Sequence, residues 1–120
     1  MPRPPSKKTL RNKLDKLCSL IVRKRGKCEK CGDKRYEQLQ CCHVFSRKYG
    51  NTRHDTDNNL LCLCASCHRL AHDNPILFTE WVRKHLGEER YEALKEAHNQ
   101  IYKPTIYDLQ VKLKVLEGMR

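Results

Sequence analysis

The chain of 120 residues has no apolar run near the roughly 18 to 20 consecutive residues that a membrane helix needs, so no membrane-spanning segment is expected. Its opening, Met1-Pro-Arg-Pro-Pro-Ser-Lys-Lys, has no apolar stretch behind it, which argues against a secretory signal. A secreted disulfide scaffold is therefore not the expected use of its eight cysteines. In a reducing cytoplasm the same residues are better suited to metal binding. Aromatic residues are few, at 7%, and the basic N-terminal third carries no Trp or Phe face, so an anionic membrane surface is not the expected partner. Internal repeats are absent, and so is low complexity beyond residues 1–6. The length bounds the chain to one small domain, or a compact core with helical extensions.

Acidic residues are also scarce: 14 Asp and Glu stand against 25 Lys and Arg, a formal net charge of +11. The imbalance is lopsided. Residues 1–35 hold 13 of the bases and only Asp15, Glu29 and Asp33 as acids, whereas the remainder is close to neutral. Such a block suits a polyanion, of which nucleic acid is the commonest in a cytosol. A solvated tail that only aids solubility is the plainer alternative.

Three segments follow from the patterning. Residues 1–26 read as a basic arm and helix: Leu10, Leu14, Leu17, Ile21 and Val22 make a helical stripe over residues 7–25, and Gly26 ends it. Residues 27–74 carry seven of the eight cysteines, with turn signals and two short strands expected near residues 37–45 and 60–63. Cys18 on the first helix is expected to be a buried small hydrophobe. A short helix begins within residues 67–72 and stops before Pro75. Residues 75–120 form a helical extension, with helices over residues 76–86 and 88–98 and a last one opened by Thr105 and Asp108 as a capping box. The stripe Ile106, Leu109, Leu113 and Leu116 on that last helix suits either a homodimer or packing within the chain. The fold class is thus a small α+β protein.

Cys28-x₂-Cys31-Gly and Cys64-x₂-Cys67 have metal-ligand spacing. Two residues between thiolates let a tight turn present both sulfurs to one ion, and two such knuckles complete a tetrahedral Cys₄ shell for structural Zn²⁺. Metal binding supplies folding free energy that some 40 mostly polar residues cannot find by burial alone. A redox dithiol would need a βαβ setting, which is missing. Cys41, Cys42 and Cys62 lie close enough that one of them could replace a chosen ligand.

Between and after the knuckles lie His43, Asn59, His68 and His72. The last two are four apart on a helix, one turn from each other on one face, and can chelate one divalent cation. A zinc metalloprotease would need Glu after the first of them; Arg69 stands there.

Taken together, Cys28-x₂-Cys31, His43, Asn59-Leu-Leu-Cys-Leu-Cys64-x₂-Cys67-His68-x₃-His72 resembles the HNH endonuclease motif. The resemblance covers about residues 27–73. It implies a ββα-metal finger, two strands and a helix around one catalytic cation, stabilised by the Cys₄ zinc site and flanked by the N-terminal basic helix and the C-terminal helices. It implies a metal-dependent hydrolase acting on DNA phosphodiester bonds. His43 falls at the general base, and His68 and His72 fall at ligand positions for a catalytic divalent cation (Mg²⁺, Mn²⁺ or another transition metal). Asn59 falls at the residue that orients the loop carrying the base. The residues 51–58 and the tail from Leu86 through Asp108 are similar to the phage recombination proteins called NinG or Rap, which implies branched or recombination DNA as substrate and a bacterial or phage-infected cytoplasm.

Two departures from the motif stand out. Cys42 occupies the position before the base where Asp or His is common, and thiolate favours softer metals than magnesium. The loop before Asn59 has one Gly, Gly50, where many members have two. Arg11, Arg47, Lys48, Arg53 and Arg69 are the expected phosphate contacts, and no element carries a base-reading signature, so duplex or branched DNA would be held through its backbone. The alternative is a non-catalytic zinc-containing module that binds nucleic acid, with His43 serving only packing. RNA as a substrate is not excluded by the residues.

Overall fold

The computed structural model describes residues 3, 5–46 and 52–120 of the chain. Arg47, Lys48 and Gly50 fall outside them. Among the described residues, five α-helices accompany a two-stranded antiparallel sheet: α1 (Lys7–Arg23), β1 (Leu39–His43), β2 (Leu60–Cys64), α2 (Ala65–Asp73), α3 (Pro75–Leu86), α4 (Glu88–His98) and α5 (Ile106–Gly118). None of the described helices is long and apolar enough to cross a membrane.

Local chemistry accounts for most of the boundaries. Ser6 caps α1 by accepting from the Thr9 N–H at 3.1 Å. Gly26, at φ 85°, ends the segment in the left-handed region that only glycine enters cheaply. Asn74 caps α3 through its side chain, and Pro75 follows where its missing N–H costs nothing. Thr105 and Asp108 form the expected capping box at α5. The first strand is shorter than its sequence pattern, because residues Tyr36–Gln38 wind into a 3₁₀ turn and the chain bends after His43. Helix α2 starts at Ala65, two residues earlier than expected. The second knuckle therefore straddles a strand end and a helix start, with Cys64 as the N-cap.

β1 and β2 pair so that Leu39 faces Cys64, Cys41 faces Cys62 and His43 faces Leu60. β2 is buried along its whole length, with α1 and α2 both packed against it. The core joins Leu10, Leu14, Leu17, Cys18 and Val22 of α1 to Leu60, Leu61 and Leu63 of β2. Full burial of each Leu is worth about 1.5–3 kcal/mol. α1 also packs along α5, where Leu109 and Leu116 are buried and Ile106 and Leu113 partly so. The apolar stripe of the last helix is thus spent within the chain.

Candidate functional site

The two knuckles meet because the first is laid beside β2. Glu29 N–H donates to the Cys62 carbonyl at 2.8 Å, and the Glu29 carboxylate accepts from the Cys62 N–H at 2.5 Å. Arg25 and His85 hold the same carboxylate at 2.9 and 3.0 Å, tying the end of α1 and α3 to this knuckle. Gly32, at φ 80°, turns the chain after Cys31. As a result the sulfurs of Cys28, Cys31, Cys64 and Cys67 all lie within 4.8 Å of one another. The Cys31 and Cys64 sulfurs are 3.6 Å apart. A tetrahedron with Zn–S bonds of about 2.3 Å has edges of about 3.8 Å, so the donor set fits zinc in kind and in spacing. Burial works against ionisation of Cys28, but backbone N–H groups of Cys31, Cys64 and Lys30 directed at its sulfur bring it down to about 7. Cys67 is pushed up by burial and by the crowding of the other three sulfurs; four such thiols ionise together only around a cation.

The remaining cysteines do not compete for this ion. Cys41 and Cys62 pair across the sheet outside the four-sulfur set, and burial raises both. Cys18 is buried with its thiol pushed up to about 12, as a small hydrophobe should be. Cys42 is 2% exposed, its thiol is raised to about 12 by burial, and it donates to the neighbouring His43 carbonyl at 3.8 Å.

A cleft of about 630 Å³ opens between β1, α2 and α3. His43, His68 and His72 all line it, together with Cys42, and Pro75 and Phe78 form the α3 wall. The rings of His68 and His72 are 5.0 Å apart, one helical turn along α2. His68 Nδ1 donates to the Gln40 side-chain oxygen at 2.7 Å, which places the ring's lone pair on Nε2. Burial, then the neighbouring His72, lowers the His68 pKa below the usual imidazole value. His43 Nε2 donates to the Arg53 carbonyl at 3.1 Å, which makes Nδ1 the basic nitrogen. Among the described residues the four cysteines are the only set of three or more ligand atoms gathered so closely. Cys42 does not join His68 and His72 in such a set. Two imidazoles alone would leave the other positions on a divalent cation to water and phosphate oxygens.

Asn59 is fully buried and uses its whole amide. Its oxygen accepts from the Phe45 N–H at 2.8 Å, and its nitrogen donates to the carbonyls of Phe45 at 3.2 Å and Thr52 at 2.9 Å. The backbone of Asn59 also accepts from the Val44 N–H at 2.8 Å. Both feet of the loop that follows His43 are therefore pinned by one side chain. Arg90 on α4 holds the Asp57 carbonyl and the Asn58 side chain, and Arg25 holds the carbonyls of Leu60 and Thr56.

The expected phosphate contacts separate into two kinds. Arg69 is exposed on α2 and Arg11 half-exposed on α1, beside exposed Lys7, Lys8 and Lys13. Arg53 instead lies in an ion pair with Asp15 of α1 and is largely covered. Gln40 and Asp15 carried no motif, and sequence reasoning missed them. Strand alternation is the one clue to Gln40, since it places Gln40 and Cys42 on the same face of β1.

A sheet of two strands followed directly by a helix, with a Cys₄ cluster at its base and histidines from strand and helix in one cleft, defines a ββα unit of the metal-finger kind. Residues 28–78, which take in the knuckles, both strands, α2 and the start of α3, match the family model described as HNH endonuclease. That match supports a metal-dependent, nuclease-type function acting on nucleic acid. No curated protein and no solved structure matches the chain.

Proposed function

We propose that this protein is a divalent-metal-dependent endonuclease that hydrolyses DNA phosphodiester bonds with His43 as general base. The observation that carries the reading is the single cleft lined by His43, His68 and His72, with the first anchored through Nε2 to a loop carbonyl. His43 Nδ1 takes the proton from the attacking water, and the Nε2–H bond to Arg53 stabilises the imidazolium that forms. His68 and His72 would hold the cation, which would supply Lewis-acid stabilisation of the negative charge that develops on the phosphate. Gln40 keeps His68 in the ligand tautomer. Asn59 holds the loop and touches no reacting atom. The Cys₄ zinc locks β2 to α2, which carries the cation ligands.

Arg11 and Arg69, with Arg47 and Lys48 of the loop, track the phosphate backbone; Arg53 is better suited to holding the loop than to binding DNA. With no base-reading element, cleavage is structure-selective or weakly specific, and branched recombination DNA is the substrate class we favour. One such site cuts one strand, so paired incision takes two visits or a homodimer. The test is plasmid nicking with Mg²⁺, Mn²⁺ or Ni²⁺, with and without EDTA, for the wild-type protein and His43→Ala. Nicking that needs the metal and is lost in a folded, zinc-loaded His43→Ala is the expected result. Wild-type protein that binds DNA but never nicks it would leave only the non-catalytic zinc module, and an active His43→Ala would remove His43 as the base.

A further inference from the structure

The loop around Arg53 is tied to α1 through Asp15. Asp15 receives Arg53 Nη2 at 2.5 Å on one oxygen, and Arg53 Nε at 3.0 Å and His54 Nε2 at 2.8 Å on the other. A two-pronged guanidinium–carboxylate pair fixes direction as well as distance. Asp15 and Arg53 side chains are only 18% and 21% exposed, and His54 is 4% exposed, so solvent does not loosen the arrangement. The carbonyl of this same Arg53 accepts the Nε2–H of His43. Asp15 and His43 also line one groove between α1 and β1. The neighbouring Thr52 carbonyl is held by Asn59, so two independent anchors bracket the peptide that His43 bonds.

From this linkage we infer that Asp15 is a positioning residue for His43: it orients the Arg53 peptide, which in turn selects the tautomer with the proton on Nε2 and the lone pair on Nδ1. α1 then has a role beyond contributing basic charge to a polyanion surface, because its one acid sets the chemistry of a side chain on β1. The role in catalysis rests on the nuclease reading above; the tautomer selection does not. If Asp15 is lost, Arg53 no longer has a fixed direction, its carbonyl swings, and His43 samples both tautomers and other ring rotations. Only the Nε2–H tautomer offers Nδ1 to the water. A misplacement of this size costs on the order of tenfold to a hundredfold in rate.

The test compares wild-type protein with Asp15→Asn and Arg53→Gln, both zinc-loaded. Arg53→Gln keeps the backbone carbonyl and the Asp15–His54 bond, and serves if Asp15→Asn does not fold. The tautomer of His43 is read from its ring ¹⁵N chemical shifts, and nicking is read as kcat and KM separately. The expected result is an Nε2–H tautomer in the wild-type protein and a mixture in the variants, with kcat down tenfold to a hundredfold and KM within about twofold. An Nδ1–H tautomer in the wild-type protein overturns the inference. So does a variant with unchanged tautomer and unchanged kcat. If the wild-type protein does not nick DNA but the tautomer shifts as described, the nuclease reading fails and the Asp15 linkage stands.

Discussion

Asn59→Ala is the sharpest probe of how this small fold holds its loop. The substitution removes three hydrogen bonds of a side chain with no exposed surface: those to the Phe45 N–H, the Phe45 carbonyl and the Thr52 carbonyl. A made hydrogen bond contributes about 1 kcal/mol net, but a buried partner left without one costs about 1–3 kcal/mol. With some relief from entering water, three orphaned backbone groups amount to roughly 3 to 4 kcal/mol. That is a large share of the 5 to 15 kcal/mol typical of a whole domain. Asn59→Asp should be worse at pH 8. It keeps the Phe45 N–H bond, yet replaces the donor with a carboxylate oxygen set against two carbonyls. Urea unfolding of the zinc-loaded proteins, followed by the fluorescence of the single tryptophan, Trp81, measures the order. The expected order is wild type, then Ala, then Asp. Variants within about 0.5 kcal/mol of wild type, or Asp more stable than Ala, would refute the accounting of the amide as a fully used clamp.

Cys28→Ser should lower the zinc content below one ion per chain and abolish cooperative unfolding, as should chelation of the wild-type protein; intact melting without zinc would show that burial alone sustains the core. Acid should also weaken the fold through His54. Burial lowers its pKa to about 4, against the opposing hydrogen bond and charge of Asp15, with Arg53 and Lys112 adding to the fall. The unfolded chain, titrating near 6.5, therefore binds the proton first. Stability from neutral His54 is complete above about pH 6.5 and is lost as pH falls toward 4, by up to about 3 kcal/mol. The stability gap between wild type and His54→Gln, measured by urea unfolding, should accordingly narrow from pH 7 to pH 4.5. A constant gap would mean that His54 titrates normally in the folded protein. Burial raises the Asp15 pKa, but hydrogen bonds from Arg53 and His54 outweigh that and hold it below the usual carboxylate value.

Covalent spacing and helical periodicity were enough to read much of this molecule from the chain alone. Two residues between cysteines, a spacing of four from His68 to His72, and a Leu every third or fourth position are local facts, and zinc geometry and the 3.6-residue turn translate them directly into knuckles, a helix face that carries two imidazoles and the buried stripes of α1 and α5. The choice of Cys28, Cys31, Cys64 and Cys67 over Cys41 and Cys62 was already implicit in that spacing. Contacts made across long sequence separations were not legible. Asp15 meets Arg53 and His54 only because α1 packs along β1, Gln40 reaches His68 only because α2 folds back over the sheet, and Arg53 is drawn away from solvent by an acid 38 residues upstream. Local pattern reports which groups have the right chemistry; which of them are spent on one another, and which remain facing the cleft, is settled by packing, where a charge or an imidazole takes the partner the tertiary fold presents to it.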